Sequence, residues 1–503
     1  MKKKILLLIN LLALLFAWQV SHIKQVAADD KIKVVTTFYP VYEFTKAVTG
    51  DSADVSMLIK AGTEPHDFEP STKNVATISD ADMFVYMDDS METWVKKVQK
   101  SINSDDLTVV KSTGDMLLMA GTAEEGEEGH EGHSHEYDPH VWLSPKRAVT
   151  LVENIRDAFV AKYPDKAETF KTNSAAYIEK LNDLDKKYSD ALSNAKQKSF
   201  VTQHAAFGYL ALDYGLNQIP ITGVSAESEP SAKRLASLTK YVKKYDIKYI
   251  YFEENASSKV AATLADEAGV KTAVLNPLES LTTKEIKAGE DYFTVMKDNL
   301  KALRLTTDVK GKEIKAETDD TKTVQHGYFK DKDVTDRKLT DWSGTWQSVY
   351  PYLLDGTLDE VWEYKADASK GEQTAQEVKD YYTTGYKTDV EKIIIDGKKN
   401  TVTFVQNGEE HKYTYKYVGY KILKYEKGNR GVRYLFEAKD DNAGDFKYIQ
   451  FSDHNISSTK AEHFHLFWGS TSQKAILKEM DNWPTYFPAS KSGQEIAQDL
   501  VAH

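Results

Sequence analysis

The chain has 503 residues, a length that corresponds to about three compact units at roughly 150 residues each. Its 65 Lys and Arg against 77 Asp and Glu give a formal net charge of −12, so it offers no basic surface for a nucleic-acid backbone, and we expect no nucleic-acid partner. The chain contains no cysteine, which excludes disulfide partners and thiolate metal sites, so any transition metal must be held by His, Asp or Glu.

The N-terminus has the pattern of an export signal. Three lysines at positions 2–4 precede an apolar run from Ile5 to Trp18 that is short for a membrane-spanning helix. Small residues at 26–28 favour cleavage before Asp29, so we predict a signal peptide over 1–28; an uncleaved anchor is the alternative. We expect an exported protein, extracellular or associated with the cell surface, without a lipobox cysteine.

Residues 29–305 alternate short apolar runs with helical patterns, which is typical of βαβ units and a parallel sheet. The runs group into two halves, so we predict two α/β lobes. A long helical stretch near 167–195 is expected to join them. The predicted strands are Val34–Phe38, Val55–Ile59, Met83–Tyr86, Leu107–Val110, Ser199–Thr202, Gln218–Thr222, Ile247–Phe252 and Thr272–Leu275.

A charged segment without apolar periodicity follows, and we predict a linker over 306–325. Beyond it, residues 326–503 contain alternating runs separated by Asp396-Gly397 and Asn407-Gly408, which are strong hairpin signals. This region is therefore predicted to be a mainly antiparallel β domain with a few helices.

Three histidines and one glutamate follow predicted strands or lie in proline-bounded loops. They are His66 in TEPHDFEP, His140 in DPHVWLSP, His204 in VTQHAAF and Glu279 in LNPLES. Ligands of open α/β sheets bind beyond the carboxyl ends of the strands, so we expect these side chains to meet in a cleft, the first two from one lobe and the last two from the other. Three imidazoles and a carboxylate suit Zn²⁺, and a site filled by protein favours metal capture over catalysis.

A His-rich insert over 124–135, EEGEEGHEGHSH, combines five acidic residues with His130, His133 and His135. Its glycines predict a mobile loop. Such tracts bind zinc through imidazole and carboxylate groups, so we expect an auxiliary, non-essential metal-collecting loop; a solvated acidic loop is the alternative.

A second histidine group lies in the C-terminal region. His463 and His465 are two residues apart in a predicted strand and therefore point to the same face. His454 ends the preceding predicted strand, so a hairpin can bring it opposite the pair. We predict a second zinc site with an unidentified fourth ligand.

Several longer motifs carry a family resemblance. TTFYPVYEFTKAV, GTEPHDFEPS, YDPHVWLSP, VTQHAAFGYLALDYGL, EPSAKRLASLTKYVKK and YIYFEENAS resemble the solute-binding receptors of bacterial zinc and manganese ABC importers, cluster A-I. DWSGTWQSVYPYL, KGNRGVRYLFEA, YIQFSDHNI and AEHFHLFWG resemble the ZinT family of zinc-binding, calycin-like or lipocalin-like barrel domains.

The resemblance implies a two-lobed α/β solute-binding protein fused to a C-terminal β-barrel, with one zinc site in each part. It implies that His66, His140, His204 and Glu279 form the first site and that His454, His463 and His465 form the second. The implied function is zinc capture and delivery to the membrane permease of an ABC importer, by a monomer that is not an enzyme. The alternative is a zinc hydrolase or hydratase in the last domain, because three histidines with an open position activate water.

Overall fold

The structure is a computed structural model. It describes residues 31–61, 63–102, 106–121, 137–221, 232–253, 259–312, 324, 327–369, 371–425, 428–477 and 480–502. The predicted signal peptide and the His-rich insert lie outside these ranges. The chain divides into two compact units, formed by residues 1–112 with 152–177 and by residues 113–151 with 178–503.

The first unit contains a four-stranded parallel sheet. Its strands are β1 Ile32–Thr36, β2 Ala53–Met57, β3 Met83–Tyr86 and β4 Thr108–Lys111, and its helices are α1 Tyr39–Thr49, α2 Thr72–Ser79 and α3 Val95–Ser101. The strand order is β2-β1-β3-β4. The inner strand β3 is buried along its whole length, as expected for a sheet covered on both faces.

Two long helices, α4 Pro145–Lys162 and α5 Ala167–Leu192, have residues in both units. The second of them is the long helix that the sequence predicts near 167–195. A short 3-10 turn that starts at Pro164 separates the two helices, as expected where a proline lacks the N–H for an α-helical bond.

The second unit begins with another parallel sheet, in the order β6-β5-β7-β8. Its strands are β5 Ser199–Thr202, β6 Asn217–Pro220, β7 Tyr249–Phe252 and β8 Lys271–Val274. Its helices are α6 Gly208–Asp213, α7 Ala232–Tyr245, α8 Lys259–Ala268, α9 Thr283–Ala288 and α10 Tyr292–Thr307. Thr306 and Thr307, the first residues of the predicted linker, are buried at the end of α10.

The same unit contains a closed antiparallel barrel in the order β10-β11-β12-β13-β14-β15-β16-β9. Its strands are β9 Gly344–Ser348, β10 Val390–Asp396, β11 Thr401–Gln406, β12 Glu409–Lys424, β13 Arg430–Ala438, β14 Tyr448–Ser452, β15 Phe464–Gly469 and β16 Thr485–Pro488. The accompanying helices are α11 Tyr350–Leu354, α12 Asp359–Ala368, α13 Ala375–Tyr386, α14 Gln473–Ile476 and α15 Gly493–Ala502.

Aromatic side chains fill the barrel interior. The Trp342 ring stacks on Phe451 at a centroid distance of 4.7 Å, and Phe464 meets Trp346 edge-on at 4.8 Å. Inward residues alternate with outward ones along each strand, so the residues on either side of Phe464 point away from this core.

The predicted fold class is confirmed, with two parallel α/β sheets and an antiparallel barrel. The Asn407-Gly408 turn is also confirmed, because both residues have positive φ, 52° and 79°, as a two-residue hairpin of the favoured twist requires. Within the described residues, no helix is both long and apolar enough to cross a membrane.

Candidate metal centres

His140 is held in place by the carboxylate two residues before it. Oδ1 of Asp138 accepts hydrogen bonds from the His140 main-chain N–H at 2.9 Å and from its Nδ1–H at 2.8 Å. The Asp138 N–H itself donates to the carbonyl of Met119 at 2.9 Å. These contacts fix the imidazole with Nδ1 protonated, so that Nε2 is available to a metal.

His140 belongs to the second compact unit, whereas the sequence pattern assigned it to the first lobe. The reason is local pairing. Ala120 and Tyr137 form an antiparallel bridge, and the Tyr209 hydroxyl donates to the carbonyl of Asp138 at 2.7 Å. The sequence gives no periodic signal for so short a pairing.

His204 follows β5 by two residues and is fully buried. Its Nδ1 contacts Oε1 of Glu253, which follows β7 directly. The neighbouring strands β5 and β7 are parallel, so their carboxyl ends bring the two side chains together. Glu253 therefore orients the imidazole of His204 through Nδ1, as Asp138 orients that of His140.

Glu279 lies in a buried loop after β8. The preceding residue, Leu278, has φ 56°, a left-handed conformation that a branched apolar residue rarely adopts. It is held there because its N–H donates to Oδ1 of Asn276 at 2.7 Å and because the Trp142 indole N–H donates to the Pro277 carbonyl at 2.8 Å. The strained backbone directs the Glu279 carboxylate toward the two imidazoles.

The three side chains form a compact triangle, which we call the first metal centre. Nε2 of His140 lies 3.4 Å from Nε2 of His204, and Oε1 of Glu279 lies 3.5 Å from each of them. Tetrahedral Zn²⁺ with ligand distances of about 2.0–2.1 Å requires ligand atoms about 3.3–3.4 Å apart. The triangle therefore has the size of one face of a zinc tetrahedron.

Carboxylates control the protonation of both imidazoles. Burial acts to lower the pKa of His140, but hydrogen bonds to Asp138 and Glu279 outweigh it, and the pKa is raised. Burial also opposes a charge on His204, yet Glu253 and then Glu279 raise its pKa well above the ordinary value. These carboxylates therefore favour protonation of both imidazoles in the metal-free protein, and zinc must compete with protons for them.

His66 lies in the first unit, after β2, and is half-buried. Its main-chain N–H donates to Oε1 of Glu64 at 3.2 Å, beside a turn in which the Phe68 N–H donates to the Pro65 carbonyl. Its participation in the first metal centre stays a prediction. The insert histidines His130, His133 and His135 lie outside the described residues.

The second cluster, which we call the second metal centre, consists of His454, His463 and His465. One ligand atom from each lies within 4.8 Å of the others. The hydroxyl of Thr485 donates to the Trp483 carbonyl at 3.0 Å, so it accepts from Nδ1–H of His465 at 2.8 Å. Nε2 of His465 is thereby available to a metal.

The other two histidines are placed by stacking and by backbone conformation. The His463 ring stacks on Phe487 at a centroid distance of 5.3 Å. His454 has φ 65°, the left-handed region, and follows Asp453, which forms a buried ion pair with Arg337 at 2.5 Å. The pairing of Ser452 with His465 brings the end of β14 beside β15, which confirms the predicted strand neighbours.

The electrostatics of the second metal centre differ from those of the first. Burial, followed by the nearby His454 and Arg433, lowers the pKa of His465 well below its ordinary value. No carboxylate joins the cluster in the part of the chain that the structure describes. The imidazole of His465 is therefore neutral and available to metal at neutral pH.

Sequence reasoning missed the residues that orient the ligands: Asp138, Glu253 and Thr485. The first two carried a signal, because YDPH and YIYFEEN place a carboxylate beside a ligand or directly after a strand. The hydroxyl of Thr485 carried none, since only the pairing of β15 with β16 brings it to His465.

Two families match the chain. The family described as "Zinc-uptake complex component A periplasmic" matches residues 34–305, and the family described as "ZinT (YodA) periplasmic lipocalin-like zinc-recruitment" matches residues 320–503. The chain is 67% identical over 515 residues to the zinc-binding protein AdcA of Streptococcus pyogenes, with 100% of both chains covered.

It is 62% identical over 505 residues to the zinc-binding lipoprotein AdcA of Streptococcus pneumoniae, again with 100% of both chains covered. The crystal structure of Zn(II)-bound AdcA from Streptococcus pneumoniae matches with a TM-score of 0.82 at 62% identity, over 94% of this chain and 100% of that one. The resemblance seen in the sequence is therefore confirmed. This chain belongs to the zinc-uptake component A family and carries a second domain of the ZinT family.

Proposed function

We propose that this protein is an exported, high-affinity zinc receptor that captures Zn²⁺ and delivers it to the membrane permease of an ABC importer, with the C-terminal domain assisting zinc scavenging. The observation that carries the proposal is the triangle of His140, His204 and Glu279, whose edges of 3.4–3.5 Å match a zinc tetrahedron. Full-length relatives that are named zinc-binding support it.

His66 supplies the fourth ligand in this proposal. Its support is its place after β2, where parallel sheets bind ligands, and its half-buried imidazole. Four protein ligands leave no position for a reactive water, which suits capture and release of the ion.

The second metal centre has three imidazoles, with water as its fourth ligand in this proposal. An open position could also activate water, which is the hydrolase alternative. The alternative covers a hydrolase or a hydratase. The full-length relatives are named zinc-binding proteins, so we expect zinc binding at this centre rather than catalysis.

The proposed organisation is a signal peptide over 1–28, a zinc solute-binding domain over 29–305, a linker over 306–325 and a ZinT-like domain over 326–503. The receptor works outside the cytoplasm as a monomer. One relative is named a lipoprotein, whereas this chain has no cysteine. That this chain is not anchored through a lipobox cysteine stays a prediction.

Metal analysis of the full chain tests the two sites. The purified protein should hold about two Zn²⁺, one per tetrahedral set. The His204→Ala variant and the His463→Ala/His465→Ala variant should each hold about one. A stoichiometry that neither variant changes would contradict both assignments.

Growth under zinc limitation tests delivery. Cells that lack their own zinc receptor but retain the matching permease should recover when they export this chain. The His204→Ala variant, exported to the same level, should not restore growth. Equal growth with the unchanged chain and with His204→Ala would show that the permease does not receive its zinc from the first metal centre.

A further inference from the structure

Polar side chains of the C-terminal domain hold a main-chain segment, residues 115–118, that lies just before the His-rich insert. The Tyr364 hydroxyl donates to the Leu117 carbonyl at 2.6 Å. The Gln498 side-chain amide accepts from the Leu118 N–H and donates to its carbonyl, each at 2.7 Å. Gln494 donates to the Asp115 carbonyl. We call these three side chains the docking surface.

The Gln498 contact has the form of a strand pairing. An amide side chain meets both the N–H and the carbonyl of one residue, as a neighbouring strand would. Leu117 and Leu118 are only 1% and 4% exposed beside this surface, so the docking surface supplies partners to main-chain groups that solvent hardly reaches. The C-terminal domain therefore holds the segment.

A largely buried cation, Arg147, strengthens the same contact. The Arg147 guanidinium forms two hydrogen bonds of 2.8 Å with the Asp213 carboxylate, and it also donates to the Tyr364 hydroxyl. Its carbon lies 4.9 Å from the centroid of the Tyr209 ring and 4.6 Å from that of Tyr364. One cation thus contacts an aromatic ring from each domain.

Tyr209 continues the connection to the first metal centre. Its hydroxyl accepts from the Met119 N–H at 2.8 Å and donates to the Asp138 carbonyl at 2.7 Å. Met119 directly follows the segment that the docking surface holds, and Asp138 is the residue that fixes both the main chain and the ring of His140. An unbroken series of contacts therefore runs from Tyr364 to His140.

We propose that Tyr364 and Gln498 are positioning residues for His140, so that the docked C-terminal domain preorganises the first metal centre in addition to binding its own zinc. The inference rests on the proposed function, because it concerns the same metal centre. When the docking surface is lost, residues 115–119 relax, Asp138 holds His140 less firmly, and zinc leaves faster.

The test uses the full chain with His463→Ala/His465→Ala, so that only the first metal centre binds metal. Tyr364→Phe and Gln498→Ala are added singly. Zinc release to an excess of chelator should become about 3- to 10-fold faster, below the 10- to 100-fold cost of losing a residue that contacts the ligand directly. Tyr381→Phe, an exposed tyrosine on α13, is the matched control and should release zinc at the parent rate.

A double-mutant cycle separates positioning from general destabilisation. In an Asp138→Ala background the effect of Tyr364→Phe should disappear, because the connection to His140 is already broken. The visible absorption spectrum of the Co²⁺-loaded protein should also change in Tyr364→Phe, since it reports ligand geometry. Equal effects with and without Asp138, or unchanged zinc release in both single variants, would overturn the inference.

Different results would contradict the proposed function. If the parent chain binds no zinc, or if His204→Ala leaves its binding intact, the first metal centre itself is wrongly assigned. If His204→Ala removes zinc while Tyr364→Phe and Gln498→Ala behave as the parent, only the positioning role is wrong.

Discussion

Replacing Glu253 with Gln is expected to alter the pH dependence of zinc binding at the first metal centre. Glu253 contacts Nδ1 of His204, and its charge is the main reason that the pKa of this buried imidazole is raised rather than lowered. Gln keeps an oxygen that can accept from Nδ1–H, so the ring orientation is retained while the charge is lost. Burial then dominates, and the pKa of His204 falls.

The sign follows from proton competition. Below the pKa of His204 in the metal-free protein, zinc must displace a proton, which costs about tenfold in affinity for each pH unit. Above that pKa no proton on His204 competes, and losing the Glu253 carboxylate weakens zinc binding by about 10- to 100-fold. The affinities of wild type and Glu253→Gln should therefore differ most at high pH and converge as pH falls.

A competition titration with a zinc indicator measures the zinc affinity at each pH. It uses the full chain with His463→Ala/His465→Ala, so that only the first metal centre binds metal. The range runs from about pH 6.5, which is the ordinary histidine pKa, to about pH 8.5. The slope of log affinity against pH should be smaller in Glu253→Gln by up to about one. Asp185→Asn, which alters a half-buried carboxylate bound to Tyr214, is the control. Parallel lines for wild type and Glu253→Gln would refute the proton-holding role.

Three further predictions concern the two metal centres. His454→Gly should abolish zinc binding at the second metal centre. It should also stabilise the metal-free protein by about 0.5–1 kcal/mol in thermal unfolding, because glycine tolerates φ 65°. Asn407→Gly replaces another left-handed residue and should leave zinc binding unchanged. Thr485→Val should weaken only the second centre, by about tenfold in an indicator titration, because it removes the hydroxyl that fixes the neighbouring imidazole. His204→Ala should lower the zinc affinity of the first centre far more than deletion of residues 124–135. That deletion should only slow zinc uptake in stopped-flow measurements. A larger loss of affinity from the deletion in equilibrium titrations would make the insert the principal site.

Simple periodicity predicted which of the proposed ligands would share a sheet edge or a strand face. His204 and Glu279 follow strands of a parallel sheet, whose carboxyl ends share one edge, and His463 and His465 share a face because strand side chains alternate. What periodicity could not supply is contact between distant segments. Residue pairs such as Asp138 with Met119 or Leu118 with Gln498 leave no local pattern in the sequence.

Two strands of the barrel lack a local signal in the sequence. Gly344–Ser348 and Thr485–Pro488 are short, and neither is joined to its neighbour by a two-residue turn with Asn-Gly or Asp-Gly chemistry. They pair with each other across more than a hundred residues and close the barrel. Their existence follows from the need to cover two sheet edges, which is a property of the whole fold.

Strand β15 encodes two separate functions on alternate residues. Phe464 and Leu466 pack into the barrel interior, whereas His465 between them faces outward with His463. The outward histidines of the proposed second metal centre can therefore be changed without altering the inward residues that pack the barrel. A variant that has lost its metal in this way is expected to keep the barrel and the docking surface.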